Sequence, residues 1–166
     1  MPLAPLPLNQ GPRSLAFRTI EKVLKADPVL GRVVKTWRTW EGKSGEDKLP
    51  ESPGLCPYIR LTPFTGSDDR VASRGSGMTL TESPIYLHVT TAVEGTRWDD
   101  SANLWDAIEA ALFPQDFNAR PAFEAVLNAA GINDIEVLQP GHAANLEGES
   151  VNVAEGVLKI NMLIGT

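Results

Sequence analysis

From Ile85 to Val93 the chain alternates. Ile85, Leu87, Val89, Thr91 and Val93 fall on one side, and Tyr86, His88, Thr90 and Ala92 on the other. A period of two belongs to a strand with one buried face and one amphipathic face. After the polar break "EGTRWDD" the period changes. Leu104, Trp105, Ile108, Ala111 and Leu112 recur at helical spacing, with Asp99 or Asp100 placed to cap the start and Pro114 to end it. Such a stripe fits packing against a sheet better than it fits a groove for a partner.

The same reading extends to both ends of the chain. Ala16, Phe17, Ile20, Val23 and Leu24 share one side of a helix predicted from Ser14 to about Ala26, with Glu21 four residues before Lys25. Pro28 and Gly31 punctuate the chain. "RVVKTWRTW", 32 to 40, suits a helix or a strand by spacing, and its Val, Thr and Trp content favours the strand. "PYIRLTP", 57 to 63, is a short strand closed by Pro63. Between it and the next strand, about 64 to 83, lies a Gly, Ser and charge-rich stretch. It is expected to be an extended loop or a protruding hairpin, because unstructured connections of that length are uncommon in compact domains.

A second helix is predicted from Arg120 to Ala130, with Pro121 in its first turn, Gly131 past its end, and Phe123, Val126, Leu127 and Ala130 on its inner face. "DIEVLQP" is a short strand. "GVLKINMLIG" alternates Leu158, Ile160, Met162 and Ile164 with Val157, Lys159, Asn161 and Leu163. The expected order is α-β-β-β-α-α-β-β. That is an α+β fold with a mainly antiparallel sheet flanked by helices, in a single domain over 14–166. Residues 1–13 carry four prolines and read as an extended arm before it.

Composition narrows the function classes. With 166 residues the chain is long enough to bury a real core, and 42% apolar with 22% charged residues is globular. A net charge of −6 argues against gripping a nucleic-acid backbone over a broad surface, which needs clustered Lys and Arg. The opening "MPLAPLPLNQGP" lacks the basic start and continuous apolar run of a secretory signal. No segment approaches the length needed to cross a membrane. The single cysteine, Cys56, rules out an intrachain disulfide, and its apolar neighbours point to a buried small side chain rather than a nucleophile. Folding in a reducing cytoplasm is expected.

Candidate chemistry is thin. His88 and His142 are the only histidines, and neither has a Cys or His at metal-ligand spacing. "SRGSG" lacks the Lys-Ser/Thr end of a phosphate loop and does not stand between a strand and a helix. Asp99 and Asp100 are explained by helix capping. Neither catalytic residues, a metal nor a cofactor is expected. The tryptophans say more. Trp105 belongs to a core stripe, and Trp98 sits at a strand-helix corner suited to core or interface. Trp37 and Trp40, three apart on a predicted strand, point to opposite faces, so a subunit contact is expected to cover one of them.

The segments "IYLHVTTAVEGTRWDDSANLWDAIEAALF", "LAFRTIEKVLKADPVL" and "GVLKINMLIG" together resemble the tail terminator and tail-completion (minor tail) proteins of long-tailed bacteriophages. The resemblance covers residues 14 to 166 in the order of elements. It implies an α+β fold whose copies form a hexameric ring. Such a ring caps the tail tube, stops its polymerisation and presents a surface to the head connector. The implied partners are further copies of the chain, the major tail tube protein and head-connector or neck proteins. Genomic DNA passes the lumen without specific binding, and no membrane is involved. The implied location is the tail-neck junction of the virion, with the host cytoplasm during assembly. The proline-rich arm and the helix at 120 to 130 depart from the usual pattern, which leaves a neck stopper or adaptor open. A small cytoplasmic enzyme or ligand-binding domain using His88 is the alternative from another class. Interface candidates are Trp37, Trp40, Asp68, Asp69, Arg70, Arg74, Tyr86, His88 and Trp98.

Overall fold

A computed structural model describes residues 11–39, 56–63, 69–72, 78–92, 100–138 and 151–165. The chain begins there with helix α1 (Pro12–Ala26), which starts two residues before the expected Ser14 cap. Proline's fixed φ suits the first turn, where its missing N–H costs nothing, so Pro12 starts the helix and Gly11 takes the cap position. The Lys25 ammonium meets the Glu21 carboxylate at 2.6 Å.

A short helix α2 (Pro28–Val33) follows where punctuation followed by a strand is expected. Local chemistry explains the difference. The Asp27 carboxylate accepts hydrogen bonds from the N–H groups of Val29 and Leu30, both at 2.9 Å, and Pro28 again opens the helix. The Val pair of "RVVKTW" therefore divides. Val33 ends the helix, and strand β1 is Thr36–Thr39 among the described residues.

The other elements are β2 (Tyr58–Pro63), β3 (Asp69–Ala72), β4 (Met78–Ala92), α3 (Asp100–Leu112), α4 (Arg120–Ala129), β5 (Ile132–Leu138) and β6 (Val151–Gly165). The sheet runs β1-β2-β4-β6-β5, with β3 also on β4. Among the described strands every pairing is antiparallel except β1 with β2. This is an α+β fold with a mainly antiparallel sheet.

β4 and β6 form its spine. Each has 15 residues, about 50 Å of extended chain. Met78↔Gly165 and Ala92↔Val151 close the two ends of their pairing. β2 and β3 lie in line along the same edge of β4. β2 stops at Pro63↔Ile85 and β3 resumes at Asp69↔Glu82. Pro63 stands at that break and Pro84 lies opposite it on β4, as suits a residue that cannot donate to a ladder.

The core lies between one face of the sheet and the helices. Ile59, Leu61, Ile85, Leu87, Val89, Leu158 and Ile160 are fully buried on the sheet side. Ala16, Ile20, Leu24, Leu30 and Ile108 are fully buried on the helix side. Leu104, Trp105 and Leu112 complete the α3 stripe. The register carries Ile59 beside Val89, Leu61 beside Leu87, and Ile85 beside Leu158, so the period-two faces of three strands merge into one surface.

α4 departs from expectation. Of the four residues assigned to its inner face, Ala130 is buried, Leu127 packs partly against the core, Phe123 is half-buried and Val126 is 49% exposed. The helix lies at the β5 end of the molecule and turns straight into β5. Gly131 makes that turn at φ 76°, its N–H bonding the Asn128 carbonyl. Only the inner edge of the stripe reaches the core.

Candidate interface on the open face and edges of the sheet

The face of the sheet away from the core carries the alternate residues of the same strands. β1, β2 and β4 are in register there through Arg38↔Arg60 and Arg60↔His88, and the backbone partner of His88 on β6 is Glu155. Basic side chains thus line up across three strands. One row further on, Thr62 faces Tyr86, and Tyr86 faces Val157. Beyond that, Lys159 stands beside Glu136, and Asn161 donates from Nδ2 to Glu136 Oε1 at 3.3 Å.

Burial across this face is uneven. Tyr86 is 38% exposed and His88 half-buried, whereas Tyr58 and Arg60 are buried. Burial raises the Tyr58 phenol above its ordinary value, partly offset by the nearby Arg60 and Arg38 guanidinium groups. Tyr58 is therefore an uncharged hydroxyl at neutral pH, held beside two cations. The Thr62 hydroxyl is buried without a hydrogen-bond partner among the described residues, a cost that a partner with a donor or acceptor would relieve.

Both ends of the sheet are open edges among the described strands, β1 on one side and β5 on the other. At the β5 end, a groove of about 330 Å³ lies between the end of α3, α4 and β5, with Phe113, Phe123, Leu127 and Ile135 on its walls. Arg120 stands at its mouth, its guanidinium 5.6 Å from the ring centre of Phe117, which is itself 82% exposed.

The sequence-based interface candidates scatter over this frame. Tyr86 and His88 sit on the open face. Trp37 sits on the opposite one, half-buried against the core, and its register partner is the buried Ile59. Asp69 and Arg70 belong to β3, opposite Glu82 and Thr81. Trp40, Asp68, Arg74 and Trp98 lie outside the described residues, as does His142. Arg38, Tyr58, Arg60 and Glu136 were absent from the candidates. The alternation of "YIRLT" put Tyr58 and Arg60 on a shared face, but only the register joins them to Arg38 and His88.

Cys56 is half-buried rather than buried, and burial raises its thiol above the ordinary range despite the nearby Lys35. A raised thiol is a poor nucleophile at neutral pH. Among the described residues no three His, Cys, Asp or Glu side chains converge on a common point, and no helix is long and apolar enough to cross a membrane.

No known family model matches the chain, and no curated protein does. Among solved structures, it is similar to a chain of the virion of a native gene transfer agent particle. That likeness has 15% identity and a TM-score of 0.38, covering 87% of this chain and 92% of the other.

Proposed function

We propose that this chain is a structural protein of a long-tailed phage particle, a tail terminator. In this reading its copies close into a ring of six on the end of the tail tube, halt tube growth and offer a joining surface to the head connector. One observation carries it most. Among the described residues the helices back one face of the sheet, and the exposed part of the other face, with the outer sides of β1 and β5, is available for contacts outside the chain. A protein whose work is to be a surface needs that, and it needs no catalyst. The sequence resemblance of the strand-helix unit, the first helix and the last strand supports the same reading.

Two further features fit. A net charge of −6 disfavours adhesion of DNA passing through a central opening, since like charges repel. The β3–β4 pairing at the far end of the spine lies in the Gly- and Ser-rich stretch from 64 to 83. It serves as the contact with the tube or with a neighbouring subunit.

The test is capping. The purified protein is added to polymerising tail tube protein and the tubes are imaged by electron microscopy. Shorter tubes, each closed at one end by a ring of about 108 kDa (six copies of 18.0 kDa), are the expected outcome. An unchanged length distribution, with the protein left behind when the tubes are pelleted, overturns the reading.

A further inference from the structure

The two edge strands of the described sheet match each other. β1 carries Arg38 on the open face and Trp37 on the helix face. β5 carries Glu136 on the open face, beside Lys159, and Val137 on the helix face, packed partly against the core. Arg38 and Glu136 are both exposed, whereas Trp37 and Val137 are both half-buried, each having more apolar surface to cover. One edge is basic on its open side and the other acidic, and both are apolar on their helix side.

Strand direction matches as well. β1 runs with β2 and against β4, whereas β5 runs against β6 and therefore with β4. The two edge strands thus point in opposite directions. If a second copy extends the sheet with its helices on the same side, β1 of the first lies antiparallel to β5 of the second, the more stable way for two strands to pair.

We infer that the partner for each edge is a second copy of this chain, β1 of one copy pairing with β5 of the next. The register sets Thr36 opposite Leu138, Trp37 opposite Val137, Arg38 opposite Glu136 and Thr39 opposite Ile135. In that register the four residues of β1 meet the last four residues of β5, all beyond the irregularity between Ile132 and Asp134. Directly opposed residues on paired strands share a face, so charge meets opposite charge and tryptophan meets valine. Joining one edge to the other edge, rather than to itself, is a head-to-tail contact that repeats into a ring or an open chain. The inference deepens the ring reading above by naming the contact that builds it.

Charge reversal tests it on the full chain, with folding followed by circular dichroism and association by analytical ultracentrifugation. Arg38→Glu and Glu136→Arg alone should each weaken self-association roughly tenfold, because an attractive cross-strand pair becomes a repulsive one. The double variant carries a reversed but complementary pair and should recover most of the loss. Mixing the two single variants should also restore association, since the acidic β1 of one fits the basic β5 of the other. As a check independent of charge, Trp37→Cys and Val137→Cys, each in a Cys56→Ser background, should form a disulfide when mixed. The inference is overturned if the folded single variants associate like the natural chain, or if neither the double variant nor the mixture recovers. A natural chain that stays monomeric at every concentration and on tail tubes overturns it too. Rings that form normally in the charge variants defeat this contact and leave the terminator reading standing. Edge-paired rings that never bind a tail tube do the reverse.

Discussion

Helices α3 and α4 carry similar patterns and meet different fates. Each has apolar residues recurring at helical spacing. α3 buries Leu104, Trp105, Ile108 and Leu112, whereas α4 has no buried residue and leaves Val126 49% exposed. α3 crosses the middle of the sheet, touching β4 and β6 and packing against α1 and α2. α4 sits over the β5 end, where the sheet stops and only the inner part of its stripe finds neighbours. An apolar stripe therefore says that a helix gains by being covered. It does not say that its own chain supplies the cover.

The largest expected effect breaks the well-covered side. Ile108 is fully buried among core residues, so Ile108→Ala removes apolar contacts and leaves a cavity. It should lower the unfolding free energy by about 2–5 kcal/mol in urea titrations. A loss below about 1 kcal/mol would mean that α3 is no better packed than α4.

A second experiment sharpens the contrast between the two faces of the sheet. The open face still buries Tyr58, whose phenol titrates above its ordinary value near 10. Between that value and the raised one, the folded chain keeps a proton that the unfolded chain has released. The stabilisation is thus complete below about pH 10 and is lost as the pH rises further. Tyr58→Phe should unfold with a shallower loss of stability between neutral pH and about pH 11 than the natural chain. Equal slopes would put Tyr58 in water.

The smallest effect is expected on α4. Val126→Ala removes two methyl groups from an exposed site, and its stability as an isolated chain should stay within about 0.5 kcal/mol of the natural one. A loss comparable to that of Ile108→Ala would show Val126 to be covered in solution.

The residues read from sequence divide along the same line. Ile85, Leu87 and Val89 were legible as a buried face, and Leu104, Trp105, Ile108 and Leu112 as a core stripe, because period and residue type act within a few residues of each other. α2 was missed although its signal was present. Asp27 before Pro28 is a cap and a first helical residue, but Pro28 and Gly31 together read as punctuation. Of the strand expected over "RVVKTWRTW", 36–39 is strand and Arg32 and Val33 are helical, since Asp27 captures the backbone as far as Val33. Val126 was placed inside because a helix's own pattern carries no information about where the sheet ends.

The sequence by itself determined the fold class, most of the elements and which side of each faces inward. Those features follow from hydrophobic periodicity, capping and turn chemistry, all of them local. Only the tertiary structure decided which strands became edges and which residues lined up across them. Arg38, Arg60 and His88 belong to three strands that are not all consecutive, and Glu136 lies on a fourth at the far side of the sheet. A one-residue slip in any pairing would separate them without altering any local pattern. Register comes from the joint burial of the inward faces of all the strands, so the surfaces this protein offers to partners emerge only once its core has closed.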